Sequence, residues 1–532
     1  MAFLLQHLLS ENANKFPERQ AVVFNDESIT YKELENITDK LANFLVWSGV
    51  KRGDRIAIFL NKSISSIVSI IGILKTGASY VPVDPLAPIE RLRYIINNCG
   101  INCLITSPDK IVKIIQAFAD QLPLKTIILT GDPPENMKQS SETNLIPWQD
   151  VISISNQNSL SINSVDSDVA YILYTSGSTG DPKGVMITHL NSLTFINMAC
   201  EFFQINEEDT LSNFAPLHSD MSIFDIFTAI KGGATIAIVP ESASIFPVKL
   251  AESIQDNGIT VWNSVPSALS LLATYEKLDK FDFSSLRLIL FAGEVFPLKY
   301  LRRLKNIIPA AGFYNMYGQT EANSSLYYRV DQVSSNDTET IPIGKEFPNF
   351  EVFGVDEKSR KINKPGEKGE LYVKGSSVAL GYWNETEKTE ASFVKNPFCS
   401  NAREIVYKTG DLVTIDKDDN YLFLGRKDHM IKSRGYRIEL GEIEAAIASH
   451  EQVKNVVVIP IPDELIGNRI AVIVVPVNTN TLKREDILSY CAQRLPKYML
   501  PEIVEFRGSL PMTSSGKVDR KKLAESMGNY FG

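Results

Sequence analysis

The sequence predicts an α/β protein with a large N-terminal domain of parallel sheets covered by helices, an antiparallel barrel-like region, and a small α+β C-terminal lid able to pack on its own. Three observations predict it. Short β-rich runs alternate with helical stretches over most of the chain, as in DRIAIFL then SISSIVSIIGILKTG, and TVWNSV then PSALSLLATYEKL. Such alternation marks parallel sheets with helices packed on their faces. From Ile341 the pattern becomes short strands joined by tight turns, as in GELYVKG and REIVYKTGDLVTIDKDDNYLFLGRKD. That rhythm is antiparallel. A third rhythm closes the chain, with NVVVIPI and RIAVIVVPV as strands and REDILSYCAQRL as a helix. The division falls at residues 1–427 and 428–532, with the boundary near Asp428.

Taken in order, the N-terminus MAFLLQHLLSENANKFPE reads as an amphipathic first helix. It has no basic segment before its apolar run and turns polar too soon for a signal peptide. The stretch from about Asp132 to Ser167 is rich in Ser and Asn and reads as a surface connection. Ile438 to His450 reads as an amphipathic helix opening the lid. No run of about 18 apolar residues occurs, so no membrane span is expected.

Composition narrows the function classes. The chain has 532 residues, a formal net charge of -9, 44% hydrophobic and 22% charged residues. A mildly acidic protein has no global field to hold nucleic acid or an anionic membrane. An anionic ligand must be held by local groups. The five cysteines, Cys99, Cys103, Cys200, Cys399 and Cys491, are scattered and odd in number. They read as unpaired thiols of a cytoplasmic protein.

Five segments carry chemistry. Tyr171 to Gly184, YILYTSGSTGDPKG, runs an apolar strand into a Thr/Ser/Gly loop that closes on Lys183. Glycines let backbone N–H groups approach phosphate oxygens, and the lysine adds a point charge. The spacing is neither the Walker loop nor G-x-G-x-x-G. Asn315 to Glu321, NMYGQTE, offers Tyr317 to stack on a purine, Thr320 to reach a phosphate, and Glu321 to hold Mg²⁺. Tyr407 to Asp411, YKTGD, places an acid after a glycine turn, suited to ribose hydroxyls. Gly425 to Glu444 is a basic hairpin leading into a helix, and its charges read most simply as solvated. Thr513 to Arg520, TSSGKVDR, puts Lys517 on a Ser/Gly loop near the C-terminus.

Together these segments resemble the adenylate-forming superfamily of peptide-synthetase adenylation domains, acyl- and aryl-CoA synthetases, and luciferases. TYKEL near Thr30, LKTGASYVPVDP from Leu74 to Pro85, and LPKYMLP from Leu495 to Pro501 extend the likeness along essentially the whole chain. The resemblance implies ATP and Mg²⁺ as cofactors. It implies that Thr175, Ser176, Gly177, Thr179, Gly180 and Lys183 close over the β- and γ-phosphates. Gly293, Glu294, Asn315 and Tyr317 would line the adenine site, and Asp411 with Arg426 would grip the ribose. Thr320 and Glu321 would serve catalysis, with Glu321 on Mg²⁺. Lys517 would bridge substrate carboxylate, α-phosphate and ribose, and Asp428 would be the hinge.

The substrate follows from APLHSDMSIFDIF, Ala215 to Phe227. Amino-acid-activating members carry an Asp in an F-D-x-S motif, and Asp220 with Ser222 matches it. Ser219 stands where an aromatic is usual. Aligned pocket positions are Met221, Phe224, Leu290, Ala292, Met316, Ser324 and Ser325, none able to neutralise a charged side chain. A small uncharged amino acid is expected, with L-proline the best match, and the chain resembles stand-alone L-proline–carrier-protein ligases. A D-alanine–carrier-protein ligase and an acyl-CoA synthetase for a small acid are the alternatives. The sequence ends soon after Lys517, so a phosphopantetheinylated carrier protein is expected in trans. A monomer is expected, with no nucleic-acid or membrane partner.

Overall fold

The computed structural model describes all residues except 1, 119–122, 134–142, 155–161, 178–179, 338, 400–403, 429, 479–481, 512–517 and 529–532. Two large sheets form the body. One has eight strands and is built mainly from residues between Arg55 and Thr188. The other has nine, drawn from Gln20–Thr30 and from Thr210 to Glu346. Most neighbouring strands within each pair in parallel. The antiparallel partners sit toward the edges, such as Asn323–Arg329 on Gly312–Gln319.

Helix Ile64–Lys75 shows why the two sheets stay together. Its residues from Ser66 to Leu74 are all buried. A helix apolar on every side has no solvent face and must be enclosed. It touches Arg55–Phe59 and Ser79–Pro82 of one sheet and Gln20–Phe24 of the other. Ser63 and Ser66 cap its start reciprocally. The neighbouring helix, Tyr31–Trp47, begins with the same device: Thr30 accepts from the Glu33 N–H, and Glu33 accepts from the Thr30 N–H. The TYKEL likeness is therefore a helix start.

After Lys345 the chain builds a five-stranded antiparallel sheet from Phe350–Val355, Lys368–Gly375, Phe393–Lys395, Ile405–Ile415 and Tyr421–Arg426. The predicted turn at DKDDN joins its last two strands. From Met430 the chain forms a two-stranded hairpin, Met430–Ser433 with Tyr436–Glu439, and a three-stranded sheet covered by helices Leu440–Ala448 and Arg484–Ala492. This region has apolar clusters made only of its own residues.

Two local expectations change. The polar stretch from Asp132 to Ser167 is more than a connection. Asn144–Pro147 forms the edge strand of the eight-stranded sheet and Trp148–Ser153 a short helix. The helix expected from Ile438 starts at Leu440, because Tyr436–Glu439 pairs with Met430–Ser433 as strand. The first helix lies at Leu5–Lys15 as expected. All five cysteines are unpaired, and among the described residues no helix is long and apolar enough to cross a membrane.

Ile71 is fully buried in the helix between the sheets. Ile71→Ala should destabilise the body by about 2–5 kcal/mol, the usual range for emptying a packed core site. Val112→Ala, on an exposed helix face, should shift stability by less than about 0.5 kcal/mol. Urea unfolding of the two variants beside the parent checks the contrast.

Candidate active site

The candidate residues gather where parallel strands of the nine-stranded sheet end. Open α/β sheets place ligands outside the carboxyl ends of their strands. Strand Leu288–Ala292 delivers Gly293 and Glu294, strand Gly312–Gln319 delivers Thr320 and Glu321, and the loop after Thr210–Asn213 delivers Asp220. From the other sheet, Val169–Thr175 runs into Ser176 and Gly177, and Lys183 opens the returning strand. The hairpin Met430–Glu439 reaches in from the C-terminal region.

Glu321 is at the centre and is 0% exposed. Its Oε1 accepts from the Tyr382 hydroxyl at 2.7 Å. Arg437 Nη1 donates to both carboxylate oxygens, at 3.1 and 3.0 Å. Lys183 Nζ lies 3.3 Å away, donates to the Tyr382 hydroxyl at 3.0 Å, and sits over the Tyr382 ring. Burial alone would push the Glu321 carboxyl up, but Arg437 and Lys183 hold it well below the usual range. The Lys183 ammonium is pulled down to about 8, chiefly by burial, with Arg437 adding repulsion.

A second network joins Tyr317, Gln319, Asp411 and Arg426. The Tyr317 hydroxyl donates to Asp411 Oδ2, and Gln319 Nε2 donates to the Tyr317 hydroxyl at 2.7 Å. Arg426 Nη1 donates to Asp411 Oδ1 at 2.6 Å, while its Nε donates to Asp428 Oδ1 at 2.7 Å. Asp411 and Asp428 are thus linked through one guanidinium. Asn315 donates its side-chain amide to the Pro342 carbonyl at 2.8 Å.

Asp220 forms the third part. Its Oδ2 accepts from the Thr320 hydroxyl at 2.9 Å. Burial raises its carboxyl, the Thr320 bond and Lys432 opposing. Phe224, Leu290, Met316 and Ser325 are buried, with Leu290 and Ser325 fully so. Met221, Ala292 and Ser324 are partly exposed. The Ser325 hydroxyl is buried without a hydrogen-bond partner. Thr320, expected at a phosphate, is here directed to Asp220.

The Ser/Gly loop meets the C-terminal region. Ser176 Oγ donates to the Arg437 carbonyl at 2.9 Å and accepts from the Glu439 N–H. The Gly177 N–H donates to Glu442, which pairs with Arg91 at 2.5 Å. Thr175 Oγ1 is buried and unpartnered. A Cβ on Gly180 would lie 2.8 Å from Ala445. Thr179 and Lys517 lie outside the described residues. Glu294 Oε1 accepts from the Gly435 N–H at 2.6 Å. Gly435 has φ +80, and a Cβ there would strike Val265 at 2.3 Å, so only glycine fits.

Sequence reasoning missed Arg437, Lys432, Tyr382 and the Arg91–Glu442 pair. The charges of Gly425 to Glu444 do not form a solvated face. Arg437 is enclosed against Glu321. Lys432 is half-buried, and desolvation lowers its ammonium pKa, with Asp411 and Asp220 opposing. The one available signal was Gly435, a turn glycine amid basic residues.

Among the described residues no cluster of three or more His, Cys, Asp or Glu could cage a metal. A single ionised, fully buried carboxylate still fits Mg²⁺, which keeps waters and takes further oxygens from substrate phosphates. Glu321 is the residue that would hold it.

Comparison with known proteins gives the family. The profile described as AMP-binding enzyme matches residues 9–383, and that of the AMP-binding enzyme C-terminal domain matches residues 442–517. An L-proline--[L-prolyl-carrier protein] ligase of Pseudomonas fluorescens is 34% identical over 526 residues, 98% of this chain and 99% of that protein. Bacitracin synthase 1 of Bacillus licheniformis is 32% identical over 98% of this chain, which spans only 9% of that protein. The crystal structure of a Vibrio cholerae adenylation domain in complex with glycyl-adenosine-5'-phosphate matches with a TM-score of 0.85 at 23% identity, covering 99% of this chain and 98% of that one. That likeness speaks for the fold. A sheet-end cleft with a buried acid, a Ser/Gly loop and a second acid linked to arginine, together with these matches, places the chain in the AMP-binding enzyme family.

Proposed function

We propose that this protein activates a small uncharged amino acid, best matched by L-proline, as its aminoacyl-AMP with release of pyrophosphate. It then passes the aminoacyl group to the phosphopantetheine thiol of a separate carrier protein. The observation that carries this reading is Asp220. It is a desolvated carboxylate held by Thr320 beside a pocket of apolar residues and small hydroxyls. A desolvated acid in such a place selects a ligand that brings an ammonium, because a substrate without one would leave it unpaired. Proline's secondary ammonium still has two donors. The named activity of the 34%-identical relative supports proline and a carrier protein.

The chain's own residues share the work. Lys183 with the backbone of Ser176, Gly177 and Gly180 holds the β- and γ-phosphates, joined by Thr175 and Thr179. Gly293, Glu294, Asn315 and Tyr317 surround the adenine, and Asp411 with Arg426 holds the ribose. Bound Mg²⁺ supplies charge neutralisation at the phosphates, and Glu321 holds it. Lys517 neutralises the charge that gathers as the carboxylate meets the α-phosphorus, a task of positioning and electrostatics. The region from Asp428 acts as a lid that brings Lys517 in for the first step and withdraws it for the second. Its separate apolar clusters support that division. The protein works as a monomer in the cytoplasm, in keeping with its unpaired cysteines.

A pyrophosphate-exchange panel over free amino acids tests the reading. L-proline should lead, and a panel in which no amino acid supports exchange overturns it. Loading of a pantetheinylated carrier should exceed loading of CoA. Asp220→Ala should lower kcat/KM for the amino acid by about 100-fold or more, as expected when a charge-assisted contact is removed. Lys517→Ala should slow exchange by about 100- to 1000-fold while still thiolating from supplied aminoacyl-AMP.

The pH dependence has a defined sign. Burial raises the Asp220 carboxyl, so it takes up a proton at a higher pH than an exposed aspartate. Only the ionised form pairs with the ammonium. Affinity for the amino acid should fall as pH is lowered, starting above the ordinary aspartate range. A pH series of KM checks this, with Asp220→Asn showing no such inflection.

A further inference from the structure

The segment leading to Asp220 carries a histidine that the proposed binding roles leave unused. The segment is fastened from three directions. Lys62 Nζ donates to the Asn213 and Phe214 carbonyls at 2.9 and 2.7 Å. The Ala215 N–H donates to Asp225 at 3.3 Å. Ser222 Oγ donates to the Leu217 and Ser219 carbonyls at 3.2 and 2.7 Å. On this fixed support both ring nitrogens of His218 are buried, and neither has a hydrogen-bond partner among the described residues. Buried polar atoms are nearly always partnered, so this imidazole is suited to a partner from outside the chain.

The surroundings of the ring identify that partner. Two residues on stands Asp220, the proposed holder of the substrate ammonium. Residues two apart have Cα atoms at most about 7 Å from each other. The carbonyl carbon of an aminoacyl group is only two bonds from its nitrogen, so a group attacking that carbon arrives near His218. The ring also faces the C-terminal region. It stacks with Tyr436 at 6.5 Å between centroids and 17° between planes, and Tyr436 stacks on Tyr498 at 3.9 Å. Asp84, Arg91 and Glu241 are the charged groups of the body that act on it.

We propose that His218 is the base of the transfer step, taking the proton of the incoming phosphopantetheine thiol. This rests on the reading of Asp220 as the ammonium holder and of a thiol as the acceptor. The imidazole takes the S–H proton, and the sulfur electron pair forms the C–S bond at the aminoacyl carbonyl carbon. The C–O bond to AMP breaks, AMP leaves with that electron pair, and the imidazolium gives its proton to solvent. Burial lowers the pKa of the ring, Arg91 adding to the effect and Asp84 and Glu241 opposing it. The ring is therefore neutral near pH 7, with a lone pair to accept the proton. The Tyr436 hydroxyl, pushed up to about 12 chiefly by burial, keeps its own proton and cannot serve.

The test uses the full chain with ATP, Mg²⁺, the amino acid that leads the exchange panel, and free pantetheine as the thiol. Rapid quench follows transfer from enzyme-bound aminoacyl-AMP in a single turnover, with pyrophosphate exchange measured alongside. His218→Gln should lower the ratio of transfer to exchange about 100-fold, the lower end of what a general base supplies. The parent's transfer rate should be flat with pH, falling only when acid protonates the ring. The variant's rate should climb about tenfold per pH unit until the thiol itself ionises at about 8.5, and added imidazole should restore part of the loss. A ratio left unchanged, or lowered equally at every pH, overturns the proposal and leaves adenylation standing. Exchange without any transfer by the parent overturns the proposal together with the thiol half of the reading. No exchange with any amino acid overturns the functional reading itself. Should His218→Gln fail to fold, the parent decides: transfer that climbs in step with thiol ionisation overturns the proposal.

Discussion

A carboxylate sealed from water must keep a positive partner, and Glu321 is the site where this protein meets that demand. Removing one partner of such a buried pair costs about 3–5 kcal/mol, because the remaining charge is stranded. Glu321 is 0% exposed and is neutralised by Lys183, Arg437 and the Tyr382 hydroxyl. Lys183 and Tyr382 come from the paired strands Lys183–Thr188 and Gly381–Tyr382 at the edge of the eight-stranded sheet, and Arg437 from the C-terminal hairpin. The two large sheets and the C-terminal region thus meet at one charge.

The other two networks follow the same logic at lower charge density. Asp411 is held by Tyr317, Gln319 and Arg426, and Arg426 continues to Asp428. Asp428, the proposed hinge, is therefore attached to the residue proposed to hold ribose. Asp220 accepts from the hydroxyls of Thr320 and, more distantly, Ser219. Of the three acids it is the one with no ion pair among the described residues, Lys432 acting on it at longer range, which suits a carboxylate proposed to meet an ammonium ligand.

The parts legible in the sequence were those whose cause is local. Alternating apolar runs marked the strands and helices of both sheets. The DKDDN turn marked an antiparallel pair, and TYKEL marked a capped helix start. The Ser/Gly loop, Glu321 and Asp411 stood out because their types at those spacings suit phosphate, metal and ribose, and Asp220 through the family resemblance alone. The basic hairpin was misread because charge in a linear sequence looks solvated by default. Burial of Arg437 and Lys432 depends on acids at Glu321, Asp411 and Asp220, which are far away in the chain. Asn144–Pro147 was missed because an edge strand needs little apolar pattern when one neighbour supplies its hydrogen bonds.

The sequence by itself determined the fold class and the order of most elements, and it nominated the candidate site residues. Periodicity and turn chemistry act over a few residues and need no partner. Only the tertiary structure decided which charges meet. The Arg437–Glu321 contact spans 116 residues and Gly177–Glu442 spans 265. Such pairs form because desolvation makes an isolated charge costly, and that cost exists only once the sheets and the C-terminal region have closed water out of the cleft.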